Sequence, residues 1–248
     1  MFPAMTDLSP FAQLAANLTD VHARIAAAAR AAGRAADAVQ LLAVSKTFPA
    51  EAVRAAAATG QTAFGENYVQ EGVAKVQALA DLQPKLNLEW HFIGPLQSNK
   101  TKQVAEHFAW VHGIERLKIA ERLAAQRPTN LPPLQVLIQV NVSGELSKSG
   151  VVVAEVLALA RGISGLPALR LRGLMAIPEP TDDLALQHAR FRSVADCLKN
   201  LIQQGFPVDT LSMGMSADLE SAIAEGSTLV RVGTAIFGQR SARTNKEA

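Results

Sequence analysis

The chain has 248 residues, 49% of them hydrophobic and 19% charged. That suits one large α/β domain or two small ones and excludes a disordered chain. Lys+Arg 24 against Asp+Glu 22 leaves a formal charge of +2, with no basic stripe for nucleic acid. The one cysteine, Cys197, excludes an internal disulfide, cannot build a zinc site alone, and fits a reducing cytoplasm.

At the start of the chain, MFPAMTDLSPF carries an acid and no basic stretch, so it does not read as a secretory signal. No uncharged apolar run approaches the ~18 residues of a membrane-spanning helix. Phe11, Leu14, Ala15, Leu18, Val21, His22 and Ile25 fall at helical spacing and predict an amphipathic helix within 1–33. Ser9 and Pro10 suit its N-cap and first position, the alanine excess around 26–36 favours helix, and Gly33 suits its stop.

Short β-rich runs then alternate with helical stretches. Strands are expected at 40–46 (QLLAVSK), 62–66, 89–94, 110–114, 134–142, 169–177, 209–215 and 229–236. Helices are expected near 50–59, 67–80, 99–107, 116–126, 151–163, 183–204 and 217–225. A parallel crossover needs about a dozen residues or more, so this alternation implies parallel pairing. The pattern matches a (β/α)8 barrel over 40–238. An open doubly wound sheet would usually show a glycine-rich first turn, and LLAVSKTFP has none. The run 239–248 reads as a polar tail, and without an internal linker 1–248 is read as one domain.

Three groups of residues carry chemistry. Leu42, Val44 and Lys46 share a face, because side chains alternate along a strand. The lysine then ends an apolar row at the carboxyl end of the first strand, the end of a barrel where sites sit. Partial desolvation there favours the neutral amine, a nucleophile toward a carbonyl. The alternative is a lysine that snorkels to solvent. In LVRVG, Leu229, Arg231 and Gly233 share one face, and Val230 and Val232 the other. An arginine inside a barrel is costly without a partner, so either an internal carboxylate or a bound ligand is expected to meet it.

The third group is DTLSMGMSADLE with LVRVGTAIFG, strands seven and eight with the turns after them. Barrels often bind a phosphate between those turns. Gly214 allows a close turn, Ser216 is expected to open the helix from 217, Gly233 offers an unshielded amide and Thr234 a hydroxyl. An ordinary N-cap at Ser216, with Asp218 complementing the dipole, and close packing at Gly233 are the alternatives. Lysine, arginine and phosphate cradle together suit an aldehyde bearing a phosphate and a ring nitrogen. Pyridoxal 5′-phosphate (PLP) is such a molecule.

His91, Met175 and Met215 are expected as further pocket lining, with His91 read as a satisfied core histidine rather than a proton shuttle. His107 and His112 fit no metal spacing. GPLQSNKT (94–101) follows a strand like a P-loop, but Asn99 stands where that motif needs its second glycine and Pro95 removes an amide.

In LLAVSKTFP, FGENYVQE, EWHFIGPLQSNK, VNVSGELSKSG, LRGLMAIP, LSMGMSADLESAI and VRVGTAIFG, in order over 41–238, the chain resembles the pyridoxal phosphate homeostasis proteins, the YggS/PROSC-like family. The resemblance implies a single barrel like the N-terminal domain of alanine racemases (PLP fold type III), with an extra N-terminal helix. It implies PLP held as a Schiff base on Lys46, its phosphate on Ser216, Gly233 and Thr234, Arg231 facing the pyridine nitrogen, and Asn67 against the cofactor. It also implies a cytoplasmic monomer serving vitamin B6 homeostasis and amino/keto acid balance. PLP-dependent apo-enzymes are candidate recipients, and no nucleic-acid, membrane or metal partner is implied.

A guanidinium does not release its proton, so a ring nitrogen facing Arg231 is expected to stay unprotonated, which weakens the ring as an electron sink. Racemisation needs an acid or base on each face. In alanine racemases the opposing tyrosine comes from a second domain and a partner subunit. This chain ends soon after its eighth strand, and its single tyrosine, Tyr68, is expected to be a packing or lid residue. The expectation is therefore a carrier or regulator. The alternative is a small PLP-dependent amino-acid racemase or Schiff-base lyase.

Overall fold

The computed structural model describes residues 11–143 and 149–239. Its strands are β1 (Gln40–Val44), β2 (Ala63–Glu66), β3 (Glu89–Phe92), β4 (Trp110–Ile114), β5 (Leu134–Gln139), β6 (Leu169–Met175), β7 (Thr210–Ser212) and β8 (Leu229–Val232). Each pairs in parallel with the next, and β8 pairs back onto β1 to close the barrel. Helices return the chain between strands, as parallel pairing requires. This is the (β/α)8 architecture expected from the alternation.

Strand alternation divides the apolar residues into two sets. Leu41, Ala43, Phe64, Phe92, Val111, Val136, Val230 and Val232 point outward into the shell between sheet and helices. Phe64 and Phe92 are fully buried there, and such burial contributes about 1.5–3 kcal/mol per side chain. Leu42, Ala63 and Leu229 form one small cluster on the opposite faces, and Trp110, Leu137 and Met175 another. The register of β4 against β5 shifts between Val111 and Ile114, so both of these residues face the outer shell although they are three apart.

The structure shortens several expected elements. β1 stops at Val44, which places Lys46 in the turn beyond it. The expected strand 229–236 stops at Val232, and Thr234–Phe237 is a short helix. A brief apolar run does not distinguish strand from buried helix. Here the Ile236 and Phe237 N–H groups both donate to the Gly233 carbonyl at 2.9 Å, and Ile236 is buried.

The N-terminal helix Ala12–Ala31 buries Leu14, Leu18, Val21 and Ile25, while Ala15 and His22 stay exposed. It packs on the helices Leu219–Ala224 and Thr234–Phe237, and Asn17 Nδ2 donates to the Ile236 carbonyl at 2.9 Å. Gly33, at φ 70°, takes the left-handed conformation that ends a helix. Ser9, Pro10 and the tail from 240 lie outside the described residues. No helix among the described residues is long and apolar enough to cross a membrane.

Candidate functional site

A cavity of about 320 Å³ opens at the carboxyl ends of the strands. It brings together Lys46, Asn67, Met215, Ser216, Arg231, Gly233 and Thr234, residues from four separate stretches of sequence. Its apolar walls, Val44, Phe48, Ile93 and Ile177, were not singled out by motif. Val44 was visible as part of the Leu42–Lys46 row. Phe48 gains its place by stacking on Phe237, ring centroids 5.1 Å apart.

Lys46 is half-buried in the turn 45–48, closed by the Phe48 N–H donating to the Ser45 carbonyl at 3.1 Å. Thr47 in that turn has φ 70°, a backbone region a β-branched residue seldom takes.

Arg231 is 4% exposed. One terminal nitrogen donates to the Ser212 carbonyl at 2.6 Å and the Ser212 hydroxyl at 2.8 Å, the other to the Ala176 carbonyl at 2.9 Å. None of these partners is a carboxylate, which removes the internal ion pair as the explanation of Arg231. Burial pulls its pKa down to about 10, with Asp218 opposing, so the group remains charged at neutral pH.

The turns after β7 and β8 form one wall. Ser216 is not the N-cap it was expected to be. The helix runs from Leu219, and Asp218 occupies the cap position. The Asp218 carboxylate accepts from the Met215 N–H at 2.6 Å, and Arg24 donates to the Ser216 carbonyl at 2.9 Å. These bonds fix the backbone on both sides of Ser216 and leave its side chain uncommitted to capping. Gly214, at φ 94°, lies so close to the helix that a Cβ would fall 2.6 Å from that of Ala222. At Gly233 a Cβ would come within 3.0 Å of the Val44 carbonyl oxygen, so close packing calls for glycine there.

Asn67 ends the opposite wall. Its Oδ1 is buried with no hydrogen-bond partner, an acceptor left open beside the cavity. The segment after β3 buttresses it. A Cβ on Gly94 would sit 2.3 Å from the Asn67 carbonyl oxygen. GPLQSNKT thus begins with a glycine needed for close backbone approach. Gly94→Ala is expected to destabilise the chain by about 1–3 kcal/mol, read as a lower urea midpoint. An unchanged midpoint would refute the contact.

Two expected lining residues lie elsewhere. Met175 packs with Trp110 and Leu137, because the alternation of β6 turns it into the apolar cluster on that face. His91 is fully buried, with Nδ1 2.9 Å from His112 Nε2, and His112 Nδ1 is 3.0 Å from the Ser212 hydroxyl. These rings link β3, β4 and β7 and border no part of the cavity wall. Tyr68 is 55% exposed, so it is not a packing residue, and it is not part of the lining. Among the described residues no group of three His, Cys, Asp or Glu could hold a metal ion.

Burial lowers the pKa of both histidines. Glu89 opposes the shift at His91, while His91 and Arg231 add to it at His112. The unfolded chain protonates both rings below about pH 6.5. The native state then binds fewer protons, so this contribution is intact above that pH and is lost as pH falls through it. The urea midpoint is expected to fall between about pH 7.5 and 5.5, and less so in His112→Gln. Equal falls would exclude His112 as a source.

The fold and the site define a barrel of the alanine racemase type: residues 17–241 match the family "Alanine racemase, N-terminal domain". The "Pyridoxal phosphate homeostasis protein" of Vibrio cholerae is 58% identical over 224 residues, 90% of this chain and 95% of that protein. That of Pseudomonas aeruginosa is 59% identical over 227 residues, 92% and 96% of the two chains. Among solved structures, PipY of Synechococcus elongatus PCC7942 with PLP bound matches with TM-score 0.79 and 37% identity, covering 91% of this chain and 100% of that one. The chain belongs to the pyridoxal phosphate homeostasis protein family.

Proposed function

We propose that this chain holds pyridoxal 5′-phosphate as a Schiff base on Lys46, for vitamin B6 homeostasis and amino/keto acid balance, without turning over a substrate. The observation that carries the reading is a single cavity uniting an amine, a buried guanidinium without a carboxylate, and the open acceptor Asn67 Oδ1. Lys46 would hold the carbonyl, and Ser216, Gly233 and Thr234 the phosphate. Arg231 would face the pyridine nitrogen, and Asn67 would accept from a hydroxyl. When bound, the cofactor supplies an electrophilic carbonyl and an electron-withdrawing ring.

The chain's own residues favour holding over turnover. Lys46 and Arg231 are the only ionisable side chains lining the cavity among the described residues. Arg231 stays protonated, which leaves Lys46 as the one other ionisable side chain of the lining among the described residues. A two-sided racemisation needs a second such group, and Tyr68 stands outside the lining. The proposal includes a monomer in the cytoplasm, in keeping with a single cysteine, that passes the cofactor to PLP-dependent apo-enzymes.

Adding PLP to the purified chain should produce a Schiff-base absorbance band, and borohydride should then fix one label on Lys46. A label on Lys100, Lys102 or Lys148 would contradict the assignment. Free amino acids should keep their optical activity in the presence of the loaded chain. Robust turnover lost in Lys46→Ala would instead establish a small racemase or Schiff-base lyase.

A further inference from the structure

Lys46 points into the cavity, but its two neighbours are tied to the other side of the sheet. Behind β1 and β2, under the helix Val69–Ala78, Lys75 is 4% exposed. Its ammonium donates to the Ser45 carbonyl at 2.7 Å, to Glu66 Oε1 at 2.8 Å and to Glu71 Oε1 at 2.7 Å. All three of its N–H donors are thereby used. The Ser45 hydroxyl donates to Glu66 Oε1 at 2.6 Å, and the Thr47 N–H donates to Glu71 Oε1.

Such a cluster is a poor device for stability. Lysine and glutamate are seldom buried, and desolvation offsets most of what their attraction returns. Glu66 is fully buried, and its Oε2 has no hydrogen-bond partner. A methionine or leucine in place of Lys75 would avoid these costs.

The neighbours of the cluster explain its presence. Thr47, third in the turn 45–48, has φ 70°, a conformation that this turn position normally reserves for glycine. A strained residue persists where its surroundings over-determine it. Here the surroundings are the bonds from Lys75 and to Glu71, one on each side of Lys46.

We propose that Glu66, Glu71 and Lys75 are positioning residues for Lys46, a clamp on the outer face of the barrel that holds Ser45 and Thr47 so that the residue between them is aimed into the cavity. The inference rests on the reading of Lys46 as the cofactor-holding amine. Without the clamp, Thr47 relaxes toward negative φ, the turn reorients, and the amine spends less time where a carbonyl can reach it.

Glu71 is the outermost member, its side chain 24% exposed, so Glu71→Ala is expected to fold. In the cofactor-free chain, amide hydrogen exchange at Thr47 should accelerate in this variant. With PLP added, borohydride labelling of Lys46 should fall roughly tenfold or more. Adding Thr47→Gly should restore the labelling, because glycine takes this backbone conformation without steric cost. Wild-type labelling or wild-type Thr47 exchange in Glu71→Ala, or failure of Thr47→Gly to rescue, would overturn the clamp. Absence of any Lys46 label in the unmodified chain would instead overturn the cofactor reading, and Thr47 exchange would then decide the clamp by itself.

Discussion

Lys46→Ala is expected to abolish the borohydride-fixed label and to weaken PLP binding at least about 100-fold, or about 2.7 kcal/mol. The reason is chemical. The other lining side chains contribute hydroxyls, an amide, a guanidinium and apolar groups, and none of these condenses reversibly with a carbonyl. On the proposed reading, what remains after the substitution is non-covalent binding through Ser216, Gly233, Thr234 and Arg231. Residual affinity without a Schiff-base band is therefore the expected signature. Lys46→Arg should behave in the same way despite keeping the charge, since a guanidinium stays protonated. An absorbance titration with mass mapping of the reduced product measures both quantities. A variant that retains the fixed label would remove Lys46 from the proposal.

Arg231→Glu is expected to cost about 3–5 kcal/mol of stability, the range for a buried charge left unpaired. Three hydrogen bonds disappear, and the Ser212 and Ala176 carbonyls lose their donor. The new carboxylate would face those same oxygens. Because a loss of that size threatens folding itself, Arg231→Lys serves beside it. A single ammonium cannot span Ser212 and Ala176 as the planar fork does. The lysine variant should therefore fold, bind PLP more weakly and show a shifted absorbance band. A band and an affinity equal to those of the unmodified chain would exclude Arg231 from the site.

These expectations show how far the residues alone lead. The rows Leu42–Val44–Lys46 and Leu229–Arg231–Gly233 were legible because side chains alternate along a strand with a period of two. Both Lys46 and Arg231 reach the cavity although β1 stops short of the lysine. Met215 lines the cavity and Met175 does not. Met215 follows β7 in a turn, whereas Met175 ends β6 within the cluster of Trp110 and Leu137. Apolar content reads alike in both.

By itself the amino-acid sequence determined the alternation of strands and helices, the closed parallel sheet it implies, and the chemistry available at its mouth. Those follow from local periodicity and from residue type. Only the tertiary structure decided that Arg231 is met by carbonyls and a hydroxyl rather than a carboxylate, that His91 pairs with His112, and that Lys75 and Glu71 hold the two neighbours of Lys46. Each of these depends on which groups meet across the sheet. Those partners are brought together by the register and curvature of strands far apart in the chain, which no local pattern encodes.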